Sequence, residues 1–596
     1  MTRHVPMACL LLLLCTAPLS AGEDGYWSVA QADAVAARTL DLHLDPALDA
    51  LTPGEKLAVG YLLQVGDIMH RLYLDQVHPE ALSALEALRT HAARAEHAEQ
   101  GRRLLALFDQ FKGPIATTTD NTREPFVPVA PEQPTRHFYP PGTTSEALEA
   151  WMNAHPDDRA GLLAPRTIVR RADGAQPAAD LATLTRMSWL EALHPGLRDT
   201  VQRAADAADG RFYAVPYALV WADDLLRASG LLHRAADAVA GDDADFADYL
   251  RLRARDLLSG DYEAGDAAWV SGRFGNLNAQ IGAYETYEDH LYGVKAAYSL
   301  SLVVRDTPPT EALRRALGGI RELEQSLPYD QHRTVRDDLP VGVYRVVADF
   351  GQARGTNTAT ILPNEARLAR KYGRTILLRH NILANPELHA VTKALWTRAV
   401  LPEHADDLTL DAGFYRTLWH EIGHYLGPDG DRHGRTLSTA MGPYSDLMEE
   451  LKADLVSLYS IPFLEKRGYY TADQARAVRA AGIYRTLQKA QPRATQPYQR
   501  MQLMQFNFFL ASPVLTYKPG HEGRLAVDYA AYDDTVALML KKVLALQYEG
   551  DQQAVAQFVN GLSMWTTWLH ADLAKALDGA SPYLFRHVHY GALKGD

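Results

Sequence analysis

Between Leu51 and Gln76 the chain reads LTPGEKLAVGYLLQVGDIMHRLYLDQ, and its apolar residues return every third or fourth position. That period predicts an amphipathic helix, with its N-terminus at Thr52-Pro53. Residues 23–112 read mostly as helix. Residues 113–144 are rich in Pro and Thr and predict an ordered connector or a loop wrapped over the surface. Helical patterns resume at Ser145 and include Ala-rich stretches at 197–209 and 233–258. Between Val341 and Leu383 the texture changes. VGVYRVVADF and RTILLRHNIL are short β-branched runs bounded by Gly, Asn and Pro, which predict a few strands. From Gly413 long helical patterns run nearly to the end. The chain contains no internal repeat, no phosphate-binding glycine loop and no G-x-S-x-G elbow. The expected class is mostly α with a small β element.

The first residues predict something other than fold. Arg3 and His4, the apolar run Ala8 to Cys15 and the small residues up to Ala21 have the layout of a secretory signal peptide. Residues 1–21 are therefore expected to be removed, giving a periplasmic or secreted protein. The apolar run is too short for a membrane span, and no later stretch is long and apolar enough. Both cysteines, Cys9 and Cys15, lie in this leader. The expected mature chain thus has no disulfide, no cysteine nucleophile and no cysteine metal ligand. With 60 basic and 73 acidic residues the net charge is −13, which disfavours nucleic acid and anionic membrane as partners.

Chemistry concentrates in DAGFYRTLWHEIGHYLGPDG, Asp411 to Gly430. Phe414, Leu418, Ile422, Tyr425 and Leu426 form one apolar helix face, stopped by Gly427-Pro428. His420 and His424 stand four apart, so both imidazoles leave the same side of the helix. That spacing suits two nitrogens on one zinc ion at about 2.0–2.1 Å. Glu421, next to the first of them, is placed to take a proton from a water at the metal's open position. A third protein ligand is needed, often a carboxylate in hydrolytic sites. The next helical pattern, SDLMEELKADLVSLY, offers Glu449 and Glu450. Asp454, four residues after Glu450, shares its face and could accept the far N–H of a ligand histidine. Glu449 points about 100° away; it reads as a similar supporting acid, a solvent-facing one, or a helix-dipole charge.

With HEIGH (420–424) and EELKAD (449–454) in place, the chain resembles the dipeptidyl peptidase III family, and more its bacterial branch. The blocks 51–76, 137–151, 278–298 and 357–382 also resemble family blocks, in the family's order. The resemblance implies two lobes about a wide cleft, one helical and zinc-bearing, the other containing a small β-barrel. It implies one zinc per chain, held by His420, His424 and Glu450, with Glu421 as catalytic carboxylate and Asp454 as the partner of a ligand histidine. In YETYED it makes Glu285 the residue that binds the substrate ammonium and Tyr287 a donor to the developing oxyanion. Asn364 and Asn381 would assist at the ammonium subsite. Tyr498 stands where the family usually has a histidine, a departure within the substrate-binding region. The expected segments are 22–306 (N-terminal part of the substrate-binding lobe, mostly helical), 307–412 (mixed β/α, contributing to both lobes) and 413–596 (helical zinc lobe).

The function expected is removal of dipeptides from the N-terminus of short peptides. Two other readings stay open: a related zinc aminopeptidase or endopeptidase of altered specificity, and a zinc-containing peptide-binding protein with little turnover.

Overall fold

The computed structural model describes residues 24–593 except 208, 337, 338, 340, 354, 356, 363–365, 374, 494, 495 and 522. The leader and Asn364 lie outside the described residues. The elements used below are β1 (Thr39–Leu44), α1 (Pro53–Val77), α2 (Ala222–Val239), α3 (Ala244–Ser259), β2 (Leu277–Ala283), β3 (Tyr298–Arg305), β4 (Val341–Gly351), β5 (Ala359–Leu362), β6 (Thr375–Arg379), α4 (Ala412–Gly423), α5 (Ser445–Tyr459), α6 (Pro497–Ala511), α7 (Tyr532–Glu549) and β7 (Phe585–Tyr590).

Helix α1 starts where the pattern predicts. The Thr52 hydroxyl accepts from the Glu55 N–H at 3.0 Å, and the Glu55 carboxylate accepts from the Thr52 N–H at 2.9 Å. Two otherwise unpaired N–H groups are satisfied in this way, with Pro53 in the position where a missing N–H does no harm. The connector of residues 113–144 is ordered. It holds the short strand pair Ile115–Thr117 and Arg123–Pro125 and buries Phe126, Val127 and Phe138.

Among the described residues, buried apolar side chains form two large cores and a small third one. The first gathers around α1, α2, α3 and one side of the sheet; the second gathers around α4 to α7. These are the two lobes. The five-stranded sheet, in the order β2-β3-β4-β6-β5, lies where they meet. Along β6, Leu377 packs into the first core and its neighbours Ile376 and Leu378 into the second. Strand alternation thus gives each lobe one face of the same strand.

One expectation changes here. The small β-barrel is an open sheet among the described residues, because β2 and β5 are its opposite edges and do not pair. Strands β2 and β3 lie near the end of residues 22–306, a stretch in which helices predominate. Strand β2, LNAQIGA, is buried at nearly every position, its polar Asn278 included. The last strand, β7, pairs in parallel with β1 and returns Val588 and Tyr590 to the first core. Among the described residues no helix is long and apolar enough to cross a membrane.

Helix α1 meets the sheet at Gly66, where an added Cβ would lie 2.2 Å from Cε2 of Phe350 on β4. Gly66→Ala should therefore destabilise the first lobe by about 1–3 kcal/mol through overpacking. Denaturant unfolding checks this, and the penalty should shrink in a Phe350→Leu background, where that space is vacated; equal penalties in both backgrounds would place the strain elsewhere.

Candidate metal centre

The site is made by two helices that cross closely. A Cβ on Gly423 would lie 2.6 Å from the carbonyl oxygen and 3.0 Å from the Cα of Ala453, so α4 and α5 touch backbone to backbone. The buried Lys452 ties the same crossing by donating to the Gly423 and Leu426 carbonyls at 2.9 and 2.8 Å. One carbonyl ends α4 and the other lies just past it, where the helix ladder has stopped. The Ser457 hydroxyl donates to the Arg416 carbonyl at 2.9 Å, one more α5-to-α4 link.

This crossing sets His420 and His424 opposite Glu449, Glu450 and Asp454. The Nε2 of His420 is 3.1 Å from Glu450 Oε2, and the Nε2 of His424 is 3.8 Å from the same oxygen. The two rings stand nearly perpendicular, with centroids 5.0 Å apart. Each far nitrogen has its own carboxylate: His420 Nδ1 lies 3.1 Å from Asp454, and His424 Nδ1 lies 2.9 Å from Glu449.

Protonation follows from those partners. Asp454 is fully buried, pairs with Arg416 and accepts from Gln505 Nε2 at 2.8 Å. Burial alone would raise the Glu449 carboxyl, but the Lys452 charge and the His424 hydrogen bond bring it down to about 2. Both acids are therefore carboxylates that can only accept, so each histidine carries its proton on Nδ1. Burial pushes His420 down to about 4, which keeps its ring neutral at neutral pH. The Nε2 lone pair of His420 then faces Glu450 Oε2, with His424 Nε2 turned to the same oxygen. Such lone pairs repel unless a cation sits among them, and two imidazoles with one carboxylate form a zinc-type donor set. The residues fit the metal.

Glu421 lines a pocket of about 460 Å³ together with His420, Arg416, Tyr484, Arg485 and Tyr498, with Thr358 just before β5 at its border. Burial raises its carboxyl above the ordinary range, against the pull of His424 and Arg416. Tyr498, 48% exposed, donates to Glu450 Oε1 at 2.9 Å. Burial and the Glu450 charge keep its phenol protonated.

Glu285 and Tyr287 line a separate pocket of about 220 Å³, together with Asn357, Ala359 and Thr360. Tyr287 is 76% exposed, and the Glu285 charge, with some burial, raises its phenol. The structure thus puts these two side by side, but not in the pocket of Glu421. The segment 357–360 borders both pockets. Asn381 has a different employment: its amide accepts from Val346 N at 2.8 Å and donates to Val346 O at 3.0 Å, continuing the β4–β6 ladder. Arg416, Lys452, Gln505 and Arg485 were not singled out from the sequence. Arg416 stands one helical turn before His420, and Lys452 lies inside EELKAD, so spacing could have found both. No sequence signal marks Gln505 or Arg485.

No family profile matches the chain. A dipeptidyl peptidase III structure from Caldithrix abyssi superposes with a TM-score of 0.77 at 24% identity, covering 93% of this chain and 98% of that one. The chain has the fold of dipeptidyl peptidase III. The dipeptidyl-peptidase III structure from Corallococcus sp. strain EGB gives 0.67 at 24% identity, covering 94% and 96%. A curated plant protein, Nudix hydrolase 3 of Arabidopsis thaliana, is 22% identical over 557 residues, 87% of this chain and 68% of its own length. About a third of that plant protein therefore has no counterpart in the match.

Gly423→Ala should force α4 and α5 apart, weaken zinc binding and destabilise the second lobe by about 1–3 kcal/mol. A competitive zinc titration and denaturant unfolding of the same variant check both effects. Unchanged affinity would mean the donor geometry does not depend on the crossing.

Proposed function

We propose that the chain is a zinc-dependent exopeptidase of the dipeptidyl peptidase III family, exported by the leader at residues 1–21, that releases dipeptides from the N-terminus of short peptides. The observation that carries this reading is the convergence of His420 Nε2, His424 Nε2 and Glu450 Oε2 beside the buried Glu421. The shared fold with two dipeptidyl peptidase III structures supports it.

His420, His424 and Glu450 would hold the ion. When bound, it polarises the scissile carbonyl and makes a water molecule acidic near neutral pH. Glu421 takes the proton from that water as its oxygen joins the carbonyl carbon. As the C–N bond breaks, Glu421 hands the proton to the departing amine. Its carboxyl, raised by burial toward the working pH, suits both halves of that exchange: it is a better base than an ordinary carboxylate, and its acid form still gives the proton up. Asp454 and Glu449 keep the two imidazoles turned inward throughout.

Glu285 supplies a carboxylate for the peptide's free ammonium group; the family resemblance gives the Tyr287 hydroxyl to the developing oxyanion, although both side chains line a pocket apart from that of Glu421. Strand β5 is an edge of the sheet among the described residues, and an extended peptide can add a strand at such an edge. A peptide lying there runs from Glu285 toward Glu421, which fixes where cleavage falls relative to the N-terminus.

Glu421→Gln keeps the shape and removes the base, so zinc content should stay while turnover falls at least about 10²-fold. Near-normal turnover in that variant would sink this assignment. Glu285→Gln should strongly impair cleavage of a free-amine tetrapeptide without changing zinc content. If wild type and this variant show equal kinetics on that peptide, and an acetylated decapeptide is cut as fast as a free one, the enzyme is not an exopeptidase.

A further inference from the structure

A second group of metal-type donors lies on the first lobe, in the strand pair that joins the two ends of the chain. In the parallel register of β1 and β7, Asp41 faces His587 and His43 faces His589. Side chains two apart on a strand share a face, so all four stand together on the polar side. The opposite side, with Leu42, Leu44, Val588 and Tyr590, is buried in the first core.

The hydrogen bonds on this face repeat the pattern of the α4–α5 crossing. His587 Nε2 lies 2.7 Å from Asp109 Oδ2, on the helix Ala98–Phe111. The other oxygen of Asp109 accepts from Lys112 at 2.9 Å, so Asp109 is a carboxylate that can only accept. Asp109 thus engages Nε2 of His587, and the other ring nitrogen, Nδ1, lies 3.8 Å from Asp41 Oδ1. His589 Nε2 lies 2.8 Å from the same oxygen. The His587 and His589 rings are 4.2 Å apart between centroids. His43 stacks on His589 at 5.1 Å and is itself 3.4 Å from Glu387, which borders the group. One donor atom from each of Asp41, His587 and His589 falls within 4.8 Å of the other two. Tetrahedral zinc with bonds of about 2.0–2.2 Å spaces its ligand atoms about 3.3 Å apart, between the 2.8 and 3.8 Å seen here.

We propose that Asp41, His587 and His589 form a second metal site, for a late first-row divalent ion such as zinc or copper(II). Two imidazoles and one carboxylate favour that class over magnesium or calcium, which take oxygen ligands. Asp109 orients His587 toward the ion as Asp454 orients His420. The site is partly exposed, which leaves room for water as a further ligand. It joins positions 548 residues apart, so a bound ion fastens β7 to β1.

Counting zinc on the metal-stripped full chain tests this, with the Glu450→Ala, His589→Ala and double variants alongside. Two ions should bind to the wild type, one to each single variant and none to the double. Zinc should also raise the unfolding temperature of Glu450→Ala but not of the double variant, while His589→Ala keeps full peptide turnover. The exposed Asp41→Asn, a near-isosteric change, should lose the same ion. If His589→Ala and Asp41→Asn bind as much zinc as wild type, the second site does not exist. If His589→Ala binds none while Glu450→Ala still binds one, the second site stands and the reading of the α4–α5 centre fails.

Discussion

Everything at the candidate centre depends on how closely α4 approaches α5. The contact is possible because position 423 carries no side chain where the Ala453 backbone passes. A helix pair ordinarily packs with axes 8–10 Å apart, held off by side chains. Removing the side chain at the crossing point lets both backbones touch. Imidazoles from one helix then reach carboxylates from the other within about 3 Å. In HEIGH, Gly423 therefore has a spatial role that neither ligand chemistry nor helix propensity would assign it.

Such closeness puts charge where water cannot follow. Asp454, Lys452 and Arg416 are all buried at the crossing, and a buried charge without partners costs several kcal/mol. Each has partners. Lys452 meets Glu449 and two helix-end carbonyls. Asp454 meets Arg416, Gln505 and His420. The network consists of the groups that aim the histidines, so rigidity of the second lobe and readiness of the donor set rest on the same bonds.

Local signals made part of this legible in the sequence. The shared helix face of His420 and His424, and of Glu450 and Asp454, follows from their four-residue spacing, and the start of α1 follows from Thr52-Pro53. What was not legible depends on contacts between distant segments. Strand β2 alternates Leu277, Ala279 and Ile281 with Asn278 and Gln280, but the run is short, ends in Gly282 and Ala283, and lacks the β-branched residues that mark a strand except at Ile281. The open sheet could not be told from a closed barrel, since closure turns on whether β2 and β5 pair. Asn381 lies in a block resembling a family's, yet its amide is spent on Val346 across the sheet. Glu449 was ambiguous for a related reason: its angle on α5 points it away from Glu450, but His424 comes to meet it.

Tyr498 shows how the remaining freedom is removed. Glu450 has two oxygens, and either could have turned toward the imidazoles. The protonated Tyr498 hydroxyl occupies Oε1, leaving Oε2 to face both Nε2 atoms. Asp454 has already taken one nitrogen of His420, and Glu449 one of His424. Three side chains with six possible donor atoms are thereby reduced to three lone pairs aimed at one point. Each choice is made by a hydrogen-bond partner that can act in only one direction: a phenol that donates, or a carboxylate that accepts. Asp109 applies the same rule to His587 on the strand pair of the other lobe. Directional partners thus define a site more sharply than the donor residues alone, because the residues offer several geometries and the partners leave one.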